Sequence, residues 1–202
     1  MNRRTVTKVC FFTAVGATIG IASAKDDGKV GDMTPADFDK TNKDAGEKIK
    51  ALKADASKLS EDDLKYLGEI AMGGMFQLEA SKLVAGKGQG ADIKLYALGE
   101  VAEQTGLSDK LKEVASAKGT TLPTAMDKEA EKTIAKLKGL SGREFDEAYL
   151  KQVGIAGHKV LKDTMEKVKS KAKDPVLKQI AENALPLIEI HLAAATAELK
   201  MS

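Results

Sequence analysis

The sequence predicts an all-α protein, a four-helix bundle made of two antiparallel hairpins with one extra helix ahead of it. Three observations predict it. Alanine, lysine, leucine and glutamate abound, whereas the 202 residues hold four prolines and no tryptophan, a composition that favours helix over sheet. Apolar residues recur at spacings of three, four and seven through four long stretches. Helix start and stop signals bracket those stretches and leave short links between them.

The first 24 residues stand apart from the bundle. "MNRRTVTK" carries Arg3, Arg4 and Lys8 without an acid, "VCFFTAVGATIGIA" is apolar, and Ala22, Ser23 and Ala24 are small. This is the layout of a signal peptide over 1–24, cleaved near Ala24. It predicts a periplasmic or otherwise exported protein, with outer-membrane association as a variant. The apolar run is too short to span a bilayer, which takes roughly 20 residues, so no integral membrane segment is expected after cleavage. Cys10 sits at the start of that run, where it does not serve as a lipid attachment site.

Cleavage changes the charge. The full chain carries +2 and the segment +3, which leaves −1. With acids interleaved among the lysines, the balance argues against nucleic acid or an anionic membrane as partner. The remainder has no cysteine, so thiol chemistry is excluded and the core alone holds the fold. Protein partners and homo-oligomers are left open.

Residues 25–33 ("KDDGKVGDM") read as a mobile linker. "TPAD" opens the extra helix over 34–58, with Thr34 as N-cap and Pro35 in the first turn. Its apolar stripe (Phe38, Ile49, Leu52) is thin and predicts loose packing. The bundle domain spans 60–202. Ser60 and Asp63 open its first helix, which runs to about Gly86 before "GKGQG". The second covers Ala91 to Lys118 and stops at Gly119. "SGRE" (141–144) reads as a capping box for the third, which ends near Lys173. Asp174 and Pro175 cap the fourth. The 22-residue link between the hairpins carries one short amphipathic helix. It is long enough for a crossover, which makes the connection ferritin-like.

The inward stripes carry the chemistry. The two histidines of the chain fall on them: His158 in the series Leu150, Gly154, His158, Leu161, Met165, and His191 in Ile180, Ala184, Leu187, Ile188, His191, Ala194. From the turn near residue 173, His158 lies 15 residues back and His191 lies 18 forward. At about 1.5 Å per residue their levels differ by only about 4–5 Å. Gln77 and Gln104 occupy inward positions on the first two helices, with Glu100 one turn before Gln104. Burying such groups without partners costs roughly 1–3 kcal/mol each, so they are expected to satisfy one another, water or a metal.

A di-iron centre fails on spacing. Such bundles use Glu-x-x-His pairs, and the residues three before His158 and His191 are Ile155 and Ile188. A His/Gln hydrogen-bonded cluster without metal is the first expectation. A single divalent transition metal on His158, His191 and Glu100, with Gln77 and Gln104 as polar neighbours, is the second. No nucleophile or phosphate loop stands out: "GKGQG" follows no strand and precedes no Lys-Ser or Lys-Thr pair. "KVKSKAK" suits a helix C-terminus, and the scattered methionines suit core packing. Phe145 and Tyr149 are expected against the crossover, with Asp146 outward or capping.

"GGMFQLEASKL" (73–83), "KGTTLP" (118–123), "LSGREFDEAYL" (140–150), "GHKVL" (157–161) and "ALPLIEIHLAAA" (184–195) resemble bacterial domain-of-unknown-function family 4142. Its members are exported, ferritin-like four-helix proteins, often labelled predicted outer membrane proteins. The resemblance covers about residues 62 to 198. It implies the fold and export without implying an activity. It aligns His158 and His191 with the family's third- and fourth-helix histidines. Gln77 aligns with a first-helix glutamate, and Glu103 and Gln104 with an Asp-His pair. The family's suspected metal cluster has thus lost one glutamate and one histidine to amides. The expectation for function is an exported, non-enzymatic bundle with a buried polar cluster, and in the alternative a metal-binding or metal-sensing protein.

Overall fold

The computed structural model describes residues 29–201, so the predicted signal peptide and residues 25–28 of the linker lie outside the described residues. Most helices begin where a small polar side chain can accept a free amide of the first turn. Thr34 Oγ1 accepts from Asp37 N at 3.1 Å to open α1 (Pro35–Ala51). Ser60 Oγ accepts from Asp63 N at 3.2 Å to open α2 (Glu61–Lys87). Asp127 caps α4 (Lys128–Lys138) through Glu129 N and Ala130 N, both at 2.9 Å. Asp174 caps α7 (Pro175–Met201) through Val176 N and Leu177 N at 2.9 and 3.0 Å.

The cap of α3 (Ala91–Ala117) comes from elsewhere in the chain. Gly90 has no side chain to offer, and the buried carboxylate of Asp146, on α5 (Gly142–Tyr149), accepts from Gln89 N at 3.0 Å and Gly90 N at 2.9 Å. The glycine-rich link thus binds this protein's own carboxylate. The predicted capping box at 141–144 does not form: Ser141 makes no side-chain cap bond. The chain is fully extended there and turns through a left-handed Gly142 (φ +59), which carries the hydroxyl away from the first-turn amides.

Four helical spans make the bundle. α2 pairs with α3, and α6 (His158–Lys171) pairs with α7. α2 also meets α6 and α3 meets α7, which closes the ring. The third span is not one uniform helix: α5 passes into a π-helical segment, Leu150–Gly157, before α6. α4 lies on α2 and α5 as the crossover element, and Phe145 and Tyr149 pack in one cluster with its Ile134 and Leu137, as expected. Among the described residues no helix is long and apolar enough to cross a membrane.

The N-terminal part corrects two expectations. The extra helix ends at Ala51, not 58, where Leu52 turns extended (ψ 142). It packs through few residues. It lies across α3 and α7 and buries Phe38, Asn42 and Ile49. The thin stripe suffices because Gly99 leaves a seat for the Phe38 ring: a Cβ there would stand 2.6 Å from Phe38 Cε1. Residues 29–33 are likewise built in. Val30 is buried and pairs with Met33 in an antiparallel bridge, and Gly31 N–H donates to Glu198 Oε1 at 2.8 Å.

The core divides along the bundle axis. One half is apolar, with Leu67, Ile70, Leu107, Leu111, Met165, Leu177 and Ile180. The other packs Tyr96, Phe145, Tyr149, Leu150 and Val153. The polar layer carries a fully buried carboxylate and two fully buried imidazoles.

Candidate metal centre

Each helical span brings at least one polar side chain toward the centre. α3 supplies Glu100 and, one turn on, Glu103. α6 supplies His158 as its first residue, α7 supplies His191, α2 supplies Gln77 and α1 supplies Asn42. The level arithmetic holds: both imidazoles are wholly buried with ring centroids 5.6 Å apart. The carboxylate between them is Glu100, also wholly buried. The layer is therefore a His/Glu cluster rather than the expected His/Gln one.

The hydrogen bonds orient both rings. Asn42 Nδ2 donates to its own helix at Phe38 O (2.8 Å), which turns Asn42 Oδ1 toward His191 Nε2 at 2.9 Å. An amide oxygen only accepts, so His191 Nε2 carries a proton, and Nδ1 turns inward to Glu100 Oε1. On the other side, His158 Nδ1 lies 3.2 Å from Val153 O in the π segment. It therefore donates there and turns Nε2 inward. Gln77 Nε2 donates to the same Val153 carbonyl at 3.3 Å and stands 3.3 Å from His158 Nδ1, which steadies the ring from behind.

Both inner nitrogens face one oxygen. Glu100 Oε1 contacts His191 Nδ1 and lies 2.7 Å from His158 Nε2. The second contact has the distance of a hydrogen bond without its alignment, so His158 Nε2 has no hydrogen-bond partner. Glu103 Oε2 approaches His191 Nδ1 at 3.4 Å. The ligand atoms of Glu100, His158 and His191 all lie within 4.8 Å of one another.

The surroundings are dry and aromatic. Phe38 stacks on His191 at 4.9 Å, and Tyr96 lies 5.5 Å from His191 and 6.4 Å from His158. Burial opposes the charge on Glu100, but the two imidazoles override it and hold the carboxyl well below its usual range. Burial pushes Glu103 up to about 7, opposed by His191 and reinforced by the charge on Glu100. Burial would lower His158, and Glu100 overrides it to raise the imidazole above its ordinary value. Burial and Glu100 together raise Tyr96 far above the phenol range, so it is a neutral wall.

With both outer nitrogens protonated, the inner nitrogens can meet the carboxylate through a proton or through a metal cation. The donor set fits a metal. Metal-bound histidine characteristically donates its outer N–H to a carbonyl or another oxygen acceptor, as both rings do here. Glu100 Oε2 and Glu103 Oε2 are buried without hydrogen-bond partners, and each would supply a further donor.

Gln104 falls outside the layer. Its Oε1 has no hydrogen-bond partner and lies where a Cβ on Gly74 would stand 3.1 Å away. Four residues past Glu100 keeps it on the same face but about 6 Å further along the axis. Sequence reasoning missed Asn42 and Phe38, whose only signal was a polar residue one turn beyond an aromatic. It also missed the π segment, which the glycines of "VGIAG" hinted at. A Cβ on Gly154 would meet Ala195 Cβ at 2.6 Å, and one on Gly157 would meet Gln77 Nε2 at 2.8 Å. Both positions therefore carry glycine because other groups approach closely.

Residues 48–197 match the sequence profile of a domain of unknown function (DUF4142). Phe38 and Asn42 lie ahead of that match. No curated protein and no solved structure matches the chain.

Proposed function

The chain belongs to the DUF4142 family, whose description assigns no activity, and from its site we propose that it binds one divalent transition-metal ion. Glu100, His158 and His191 hold the ion, and Glu103 completes the donor set. The observation that carries the reading is the double anchoring of the imidazoles: each outer N–H is given to an oxygen, and each inner nitrogen is turned on the same carboxylate. Two imidazoles with one or two carboxylates suit zinc, and equally ferrous iron or manganese. Calcium and magnesium take oxygen donors instead.

The site holds metal rather than turning over a substrate. All three ligand side chains lack exposed surface. The leader-like first 24 residues support the same protein as an exported one, working in the periplasm or at the envelope. A second reading rests on the same geometry: protons close the cluster, with a charged His158 paired to ionised Glu100, and the layer is purely structural.

Metal analysis separates the two readings. Protein purified without a histidine tag and equilibrated with Zn²⁺ is expected to retain one ion per chain by mass spectrometry, and His158→Ala to retain none. Wild type without bound metal, together with a large stability loss in His158→Ala, would overturn the proposal and leave the structural cluster.

A further inference from the structure

We infer that α1 is a gate over the metal centre, latched at residues 30–33 and anchored at residues 52–60, whose opening sets the rate of metal exchange. The inference rests on the metal-binding reading above. α1 covers His191 on two sides, with the Phe38 ring stacked at 4.9 Å and Asn42 Oδ1 on Nε2 at 2.9 Å. Three of the bundle's spans, α3, α6 and α7, supply every ligand, so α1 covers the site without contributing a ligand.

The attachment of α1 is uneven. Only three of its 17 residues are buried, and segments with few buried contacts are the ones that open below the global unfolding free energy. Beyond its C-terminal end, the chain is tied to α3 by charged anchors. Lys110 Nζ donates to Leu52 O at 2.7 Å, and Lys118 Nζ to Asp55 Oδ1 at 2.6 Å. Ahead of its N-terminal end the tie is a small clasp: buried Val30 and the bond from Gly31 N–H to Glu198 Oε1 at 2.8 Å. The clasp requires glycine, because Gly31 is left-handed (φ +61) and a Cβ there would stand 2.6 Å from Ala194 Cα. α1 therefore opens by local unfolding between the clasp and the 52–60 anchors, which takes Asn42 and Phe38 off the imidazole.

Two glycine substitutions away from the ligands move the gate in opposite directions. Gly31→Ala forces the clasp apart. Gly46→Ala stiffens α1 where an added Cβ meets nothing within 4 Å. The full chain is loaded with Co²⁺, and the decay of its ligand-field absorption is followed in excess EDTA. Losing the buried clasp bond should speed release about 5- to 10-fold. Replacing a mid-helix glycine should slow it about 2- to 5-fold. Both variants should keep the wild-type absorption spectrum, since no ligand is touched. Glu198→Ala removes the clasp's acceptor and repeats the first arm if Gly31→Ala does not fold. Release rates within twofold of wild type in both directions would overturn the gate while leaving the metal site intact. A wild type that takes up no Co²⁺ would remove the site, and the gate with it.

Discussion

Among the described residues two ionic clusters reach into the interior, and they differ in whether their polar groups are all paired. In the first, Lys118 at the end of α3 reaches Asp174 Oδ2 at 2.5 Å, Asp55 Oδ1 at 2.6 Å and Ser57 Oγ at 2.9 Å. That accounts for all three ammonium protons, and the other Asp174 oxygen caps α7. In the second, Glu100, His158, His191 and Glu103 meet across the bundle, yet Glu100 Oε2, Glu103 Oε2 and His158 Nε2 have no hydrogen-bond partner. Native proteins rarely leave such atoms unpaired. The first cluster is complete as protein and is structural. The second would be completed by the proposed metal ion.

The largest effect expected from breaking this contrast is in the structural cluster. Asp174→Ala removes the buried partner of Lys118 and the α7 cap together, while Asp55 still pairs with the ammonium. Breaking a buried pair costs about 3–5 kcal/mol when nothing replaces the partner, and a lost cap about 1 kcal/mol. With Asp55 retained, a loss of about 2–4 kcal/mol in urea denaturation is expected, with metal stoichiometry unchanged. A variant that lost its metal at full stability would show that the two clusters are not separate in role.

How much of this was legible in the sequence depended on where each residue sat. The caps at Thr34, Ser60, Asp127 and Asp174 are local chemistry, and a short window of residues suffices to read them. His158 and His191 were found because two antiparallel helices joined by a short turn convert sequence distance into level. That arithmetic needs no knowledge of neighbouring helices. Glu103 was harder, since it stands three residues from Glu100 and off the apolar stripe, and only the closing of α3 against α7 buries it. Asn42 was illegible for a different reason. Its helix carries too few apolar residues to reveal which face is buried, and the hole that receives Phe38 is a glycine 61 positions away, at residue 99. The π segment leaves no periodic signature, because it keeps Leu150, Gly154 and His158 on the inward side while bringing the Val153 carbonyl under the imidazole.

Acidity offers the next test, because protons and metal compete for the same atoms. Without metal, burial is the main cause lifting Glu103 from its ordinary 4.5 to about 7. Burial alone would lower His158 from 6.5, but Glu100 raises it. Both groups hold protons more tightly folded than unfolded. Their contribution to stability is therefore fully present below the unfolded values. It declines as pH rises, from 4.5 to about 7 for Glu103 and beyond 6.5 for His158. The metal-free protein should then melt at a lower temperature at pH 8 than at pH 5.5. Metal affinity runs the other way and should gain about tenfold per pH unit for each proton displaced. Calorimetric melting with and without Zn²⁺ at the two pH values reads both slopes. A metal-induced stabilisation that is equal at pH 5.5 and pH 8 would mean that the ion sits away from these groups.

The smallest expected effect is also the most selective. Glu103→Gln keeps the shape of a buried side chain and removes one acid, and its two consequences separate a ligand from a spectator. Without metal at pH 8, Glu103 and Glu100 would both carry charge in one dry layer, so the neutral amide should leave the metal-free protein equally stable or better by less than about 1 kcal/mol. With metal, the amide is a poorer donor than a carboxylate for zinc or iron, so affinity should fall about tenfold by competitive titration, on the low side of the range known for outer-shell groups. Were Glu103 a neutral wall of the pocket like Tyr96, the substitution would leave affinity alone. A gain in metal-free stability coupled to a loss of affinity is what a carboxylate held ready for a cation produces. A structural carboxyl, already satisfied like Asp174, would lose stability on substitution and leave metal binding untouched.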